Sequence, residues 1–549
     1  MNEAEEQEIT TYNLDHYGLV AAICKKLKIA ERIDKKIPNS DPRVIVSTGT
    51  AVVAMILNGL GFINHRLYMV SNFYESKPVG RLLRNGIKAE NLSDNILGKA
   101  LDTLDEYGQT KLFFEIVLEI LQEFKLFGKT KRLDSTSINV CGDYEISDSE
   151  YNITYGYSKD GHADMKQFMI NLATTGKADM PFWFEIQDGN SSDKKTFRES
   201  AKDIINRLKN QIGESIGKIH VADSAFYTAE TIKTMENMKW LSRVPENIKE
   251  AKSLLENSNN PESMIVIDKN YSYTPHPSEY GGIKQRWIIV FSKTAFIKEK
   301  TTFENKLIKI TEKLEKEIWH LENNIFTSNE SAIEEISKLD GKYKYHKVEV
   351  KEIETINVYE NRGRHKKDEK PVSVKYKVKI KYSPDKVVIQ KSINCKGKFI
   401  LATNELETNN LPDNEMLSEY KDLQGTERGF RFLKDPWFMA SDVYLKKESR
   451  IASLMMIMTL CLVVYNFSQH HLRSYLKENN ETLPNQLKKQ IQNPTTRWIY
   501  QMMMLAAISV VRFQNPSGSY EEVVTNIKPV HKKIISIFGN EALNIYGFK

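Results

Sequence analysis

Three carboxylates stand out by position. Asp134 opens a strand-like run in Leu133-Asp-Ser-Thr-Ser137, and Asp223 closes another in His220-Val-Ala-Asp-Ser-Ala-Phe-Tyr227. Glu427 follows about 200 residues later, on a stretch of helical period. In an open α/β sheet, ligands collect at strand ends, and adjacent strands bring such side chains within a few ångströms of each other. Singly, each acid is as well explained as a turn former or a helix cap. Their joint placement at two strand ends and on one helix is what makes them a candidate site.

The helix around Glu427 has its own pattern. Tyr420, Glu427 and Lys434 are spaced by seven, two helical turns, so they share a face at intervals of about 10 Å. Arg428 and Arg431 stand beside Glu427, and Gly425 and Gly429 interrupt the run. Each glycine costs about 1 kcal/mol against alanine inside a helix, which points to a close approach by another backbone. The alternative is an amphipathic surface helix with solvated charges. Asp413 after Pro412 is a start signal and Asp435-Pro436 a stop, so one helix of about 21 residues is expected.

The elements that would position these residues change in period along the chain. Residues 12–130 are helical in pattern: Leu19, Ile23 and Leu27 recur at helical spacing, as do Val52, Met55, Ile56 and Leu60. Ser93 is a candidate N-cap, and Leu112–Phe124 closes the segment. From Lys131 the period becomes two, through Asp134–Val140, Phe168–Leu172 and Phe182–Ile186. A helix is expected over Thr196–Ile212, a strand over Lys218–Asp223, a helix over Ala229–Met238 and a strand over Trp240–Val244. Consecutive strands pair as antiparallel hairpins, whereas strands separated by helices pair parallel. This is the element order of an RNase H-like α/β domain.

About 150 residues then intervene. They hold strand-like runs at Met264–Ile267, Gln285–Val290, Val374–Ile380 and Lys398–Thr403, a charged helix around Phe303–Leu321, and the basic loop Arg362–Lys367. The expected divisions are a helical N-terminal domain over 1–130, a first core segment over 131–245, a β-rich insertion over 246–404, and a second core segment with C-terminal helices over 405–549. The apolar runs Ile451–Tyr465 and Ile499–Val511 are expected as buried core helices, because about 15 residues fall short of the ~20 that span a bilayer. A polar tail is expected to follow.

Composition sets bounds. At 549 residues the chain exceeds one simple module. Its 40% hydrophobic and 27% charged content is that of a globular protein rather than a disordered one. A net charge of +6 permits a polyanionic partner without requiring one. Cys24, Cys141, Cys395 and Cys461 lie far apart, so neither a zinc site nor a disulfide framework is expected, and a reducing cytoplasm is the natural compartment.

These residues, in this order, resemble the DDE triad of insertion-sequence transposases of bacterial and archaeal type. The run Tyr420-x2-Leu423-x3-Glu427-x6-Lys434 is similar to the Tyr-x2-Arg-x3-Glu-x6-Lys signature of the group with a β-rich insertion domain, with Leu423 in place of the arginine. Ser158–Asp164 with Lys166-Gln167, and Asp188–Asp193, also look like that family.

The resemblance implies a fold: an RNase H-like α/β core with a mixed sheet, interrupted by a β-rich insertion and preceded by a helical domain that binds DNA ends. It implies Asp134, Asp223 and Glu427 as catalytic residues and as ligands of Mg²⁺ or Mn²⁺. Two ions about 3.5–4 Å apart are the expected complement. Tyr420, Lys434, Arg428 and Arg431 are implied as DNA-positioning residues.

The implied partners are double-stranded DNA, as terminal repeats and as target, and a second copy in a synaptic homodimer. No membrane partner is expected, and a cytoplasmic, nucleoid-associated location is expected. The implied reaction is cleavage at transposon ends followed by transfer of the freed 3′-OH. An RNase H-like nuclease or resolvase that cuts without joining is the alternative enzyme. A domesticated transposase that only binds DNA is the non-enzymatic alternative.

Overall fold

The computed structural model describes residues 9–39, 41–61, 70–140, 142, 144, 151–158, 161–191, 204, 207, 218–258, 261–360, 370–435, 447–514 and 519–548. The basic loop Arg362–Lys367 and, apart from Ile204 and Arg207, the helix expected over Thr196–Ile212 lie outside these residues. The chain divides into two compact units. One comprises 1–226, 237–240 and 418–549, and the other 227–236 and 241–417. In this division the N-terminal helices belong to the same unit as the core strands.

In the first unit, strands Thr130–Val140, Lys166–Thr175 and Met180–Gln187 form an antiparallel meander. Strand Ile219–Ala222 joins the outer side of Thr130–Val140 in parallel. This is the mixed pattern that the helix-free and helix-containing connections dictate. Nearly every residue of Lys166–Thr175 is buried, as expected of a strand covered on both faces.

The N-terminal region supplies one cover. Its helices include Tyr17–Lys26, Thr48–Gly59, Asp94–Tyr107 and Gln109–Glu123. The last packs Phe113 and Phe114 edge-on to Phe184 and Trp183 of the meander. Ser93 does occupy the N-cap position of Asp94–Tyr107, but its side chain makes no capping bond.

Helix Glu448–Glu478 is the longest element of the first unit at 31 residues, twice the expected apolar run. By length and composition it is the one helix among the described residues that is apolar enough to cross a membrane, and 83% of its most apolar window is buried inside the protein. Polar contacts tie it near its start and just past its middle. Arg450 holds Asp102 through two bonds of 2.7 Å, and Asn466 Nδ2 donates to the Asp179 carbonyl at 2.7 Å.

The expected helix over Ile499–Val511 is a helix only over Thr496–Met504. A left-handed residue, Ala507 at φ 51°, then turns the chain into strand Ser509–Gln514. The β-branched pair Val510-Val511 favours that switch. This strand is the centre of a three-stranded sheet, flanked by Ile9–Asn13 and Tyr520–Thr525. The residues expected as a polar tail form that third strand and two helices, Pro529–Phe538 and Asn540–Ile545.

In the second unit, residues 241–244 pair with Lys398–Thr403, and the sheet continues through Ile283–Ser292 and Tyr271–Tyr280 to Ile265–Val266, antiparallel throughout. The insertion carries more helix than its period-two runs announce. Lys293–Glu322 and Asn329–Lys342 pack Leu314, Ile318 and Ile336 against Val348 and Val378 of the long hairpin His346–Val358/Ser373–Pro384. Ser292 and Asp385 cap Lys293–Glu322 and Lys386–Asn394 in turn.

Candidate active site

Asp134 and Asp223 stand at one level of two neighbouring strands. Strand Thr130–Val140 pairs in parallel with Ile219–Ala222 in the register Thr130 to Ile219, Lys131 to His220 and Arg132 to Val221. That offset is 89 residues (219 minus 130), and continuing it matches Asp134 with Asp223. Parallel neighbours lie about 4.8 Å apart, with registered side chains on the same face. Asp223 directly follows Ala222, the last strand residue, and a short 3₁₀ turn Ser224–Phe226 leads away from it. Asp223 is exposed and Asp134 half-buried, and an Asp134 carboxylate oxygen accepts the Ser135 backbone N–H at 2.8 Å.

Glu427 reaches the same level from above the sheet. The expected single helix is two, Asp413–Lys421 and Leu423–Leu433. The break is at Asp422, where the Gly425 N–H bonds the Asp422 carbonyl at 2.8 Å, a tighter three-residue turn. Asp422 also turns its carboxylate to Arg132 at 3.2 Å. The second helix tracks the strands residue by residue. Buried Thr426 bonds Thr174, the register partner of Arg132, hydroxyl to hydroxyl at 2.7 Å. One turn on, a β-carbon on Gly429 would lie 3.3 Å from Leu172, the partner of Asp134. Glu427 lies between Thr426 and Gly429, so its backbone runs over the level of Asp134.

The flank on which Glu427 projects follows from helical rotation, about 100° per residue. Gly425 and Arg428 face the turn that holds Asp179, between the second and third meander strands. By the same rotation, Glu427 and Lys434 lie on a different flank of the helix from Gly425 and Arg428. Glu427 is exposed there. The glycines make room for side chains rather than for a backbone. A β-carbon at Gly425 would meet the Asp179 carboxylate at 2.2 Å, and one at Gly429 would meet Leu462 at 3.0 Å.

The other residues of the signature are divided by the break. Tyr420 is half-buried on the first helix, and Lys434 is the C-cap of the second. Leu423 is 7% exposed and packs inward. Arg428 donates to Asp179 at 2.8 Å, while Arg431 is exposed.

A buried cation that the sequence reading missed sits below the acids. Arg132, 1% exposed, donates to Asp179 at 2.9 Å and to Asp422 at 3.2 Å. Burial raises the Asp422 pKa, and Arg132 opposes that rise. Arg132 stands two residues before Asp134, on the same face of the strand. That spacing was the available signal.

The donor set of Asp134, Asp223 and Glu427 is all carboxylate, which suits a hard divalent cation. Among the described residues, no three His, Cys, Asp or Glu side chains form a group that would hold a metal ion. The continued register matches Asp134 with Asp223, and Glu427 follows the helix residue that bonds Thr174, but the three acids do not form a closed cluster.

Residues 132–464, more than half of the chain and spanning all three acids, match the family described as Transposase DDE domain. The chain belongs to the DDE transposase family. Residues 9–118 of this transposase match a second family, described as Domain of unknown function (DUF4277). Among solved structures, the transposase is similar to the piggyBac transposase synaptic complex with hairpin DNA at 11% identity, covering 91% of this chain and 82% of that one, with a TM-score of 0.36. It is also similar to the Mos1 transposase paired-end complex with left transposon end at 13% identity, covering 35% and 61% of the two chains, with a TM-score of 0.15. No curated protein matches it.

Proposed function

We propose that this transposase cuts DNA at the ends of its element by phosphodiester hydrolysis and joins the freed 3′-OH to target DNA, with Asp134, Asp223 and Glu427 as the catalytic acids. The observation that carries the reading is the 89-residue parallel register, which if continued matches Asp134 with Asp223. The Thr174–Thr426 bond immediately before Glu427 supports it.

Three carboxylates directed at one point repel one another, and divalent cations are the natural counter-charge. Mg²⁺ or Mn²⁺ bound by Asp134, Asp223 and Glu427 would supply activation of the attacking oxygen and charge stabilisation for the leaving one. The chain's own contribution is position. The two strands hold Asp134 and Asp223 rigidly, and Glu427 enters from a helix anchored in the sheet. Lys434, on the flank of Glu427, offers a point charge to DNA phosphate, and Tyr420, Arg428 and Arg431 lie close by in sequence to guide the strand. Bringing two ends together needs at least two copies of the chain, working on DNA in the cytoplasm.

The test is cleavage and joining on DNA carrying the element's own ends, with Mg²⁺ or Mn²⁺. Glu427→Gln keeps the shape and removes the charge, so cleavage falls by several orders of magnitude while end binding survives. Full cleavage by this variant would remove Glu427 from the triad. Normal cutting with no joined product would assign the protein to nucleases instead.

A further inference from the structure

The flank of helix Leu423–Leu433 opposite Glu427 borders a cleft of about 560 Å³, walled by helix Glu448–Glu478 and the segment around Thr495. Five cationic side chains line it: Lys177, Arg428, Arg431, Arg473 and Arg497. Its three acids, Asp179, Asp422 and Asp435, are already engaged by arginines. Asp179 takes both Arg132 and Arg428, Asp422 takes Arg132, and Asp435 takes Arg497. With buried Arg132 counted, six cations face three carboxylates.

Two of the guanidiniums have no carboxylate of their own among the described residues. Arg473 donates through Nε to the Pro494 carbonyl at 2.9 Å, which fixes its plane without neutralising its charge. Half-buried, it has a lowered pKa, chiefly through burial and with a contribution from the like charge of Arg428. Arg431 lies along the same helix edge, one turn beyond Arg428. Like charges gathered in a partly desolvated cleft are stabilised by an anion between them. Arginine forks match the paired oxygens of a phosphate.

We propose that this cleft, which borders the Glu427 flank at Arg431 and extends to Arg473 and Arg497, is a phosphate-binding site that holds a backbone phosphodiester of bound DNA. By rotation about the helix, Gly425 and Arg428 stand about 100° or more from the line of Glu427 and Lys434, and Arg431 lies between the two. The same helix then presents acids to the scissile region on one side and grips a second stretch of strand on the other. The strand assignment rests on the transposase reading above. The phosphate chemistry does not.

The test uses the full chain and the variants Arg431→Gln and Arg473→Gln, alone and together. Arg431→Gln removes no hydrogen bond seen among the described residues, so it keeps the test valid if Arg473→Gln disturbs the Pro494 contact. Binding to a short duplex of arbitrary sequence is measured against salt concentration. Each substitution is expected to weaken binding and to reduce the slope of log affinity against log salt by about one. Arg431→Lys is expected to restore most of the slope. Inorganic phosphate is expected to raise the melting temperature of the parent protein and not that of the double variant.

Unchanged affinity and slope together with unchanged phosphate stabilisation would overturn the site. Lost phosphate stabilisation with an unchanged DNA slope would support the phosphate site and overturn its assignment to a strand, leaving a small phosphate compound as the ligand. A reduced slope in these variants alongside a fully active Glu427→Gln would uphold the cleft while the catalytic reading failed.

Discussion

The hydroxyls of Thr174 and Thr426 lie 2.7 Å apart, both essentially excluded from solvent. This bond crosses from sheet to helix immediately before Glu427, so it sets the height and rotation of that acid. Thr426→Val leaves the Thr174 hydroxyl buried without a partner, a cost of about 1–3 kcal/mol. Reduced thermal stability is expected, with cleavage lowered more than DNA binding. Replacing both threonines by valine should recover much of the stability, because neither partner is then left unsatisfied. Equal stability of the single and double variants in thermal melts would show that the bond anchors nothing.

Asp134 and Asp223 should behave as one unit. Asp134→Asn and Asp223→Asn each should reduce cleavage by several orders of magnitude, and the double variant should be scarcely worse than either. Groups that act together are strongly non-additive in this way. Measured cleavage rates that multiplied across the two substitutions would separate the residues into independent roles.

The glycines of the Glu427 helix are not equivalent. A β-carbon at Gly425 collides with Asp179, whose carboxylate is held by Arg132 and Arg428, so Gly425→Ala should destabilise by about 1–3 kcal/mol. At Gly429 the neighbours are the ends of leucine side chains, which can yield. There the helix-propensity gain of about 1 kcal/mol offsets the strain, and Gly429→Ala should be nearly neutral. Chemical denaturation of the two variants decides whether that order holds.

Directly behind the acids, Lys131 and His220 are register partners on adjoining strands, and both are buried. Burial lowers the Lys131 pKa to about 8 and holds His220 well below its ordinary value, with Lys131 adding to the effect. For each, the unfolded chain binds the proton more readily than the folded one, so stability rises with pH across the gap between the two values. For Lys131 that window runs from about pH 8 to its ordinary value near 10.5. For His220 stability is lost as pH falls below about 6.5. Lys131→Met should raise stability at neutral pH by up to about 3 kcal/mol and flatten the alkaline rise. Melting temperatures that fell between pH 8 and 10 equally in parent and variant would count against it.

The core strands were legible because each is bounded by polar turns and carries a period of two, and the helix-containing connection predicted the parallel pairing of Ile219–Ala222 with Thr130–Val140. Asp223 was legible as a strand-end residue, whereas Asp134, expected to open its strand, is the fifth of eleven residues in Thr130–Val140, because the pairing with Lys166–Thr175 begins already at Lys131. The break at Asp422 was not legible, since no proline or glycine marks it and the helical period runs through. It arises from a tertiary contact, the pull of buried Arg132. Val510-Val511 was lost within a long apolar run whose period does not separate strand from helix. The arginine cleft drew its residues from positions 177, 428, 431, 473 and 497, and separations of that size carry no local signal.

Strand Ile9–Asn13 finds its partner in Ser509–Gln514, and Asp134 shares its unit with a helix that begins only after residue 418. On the ribosome, the N-terminal helices and the meander must therefore wait for most of the chain before their sheet partner and covering helices emerge. The intervening unit, formed from contiguous 241–417 apart from one short segment, is free to fold in the meantime. Products truncated before residue 427 lack the third acid, and those truncated before 509 lack the strand that ties the start of the chain. The unit that carries the proposed catalytic acids is thus completed only near the end of synthesis.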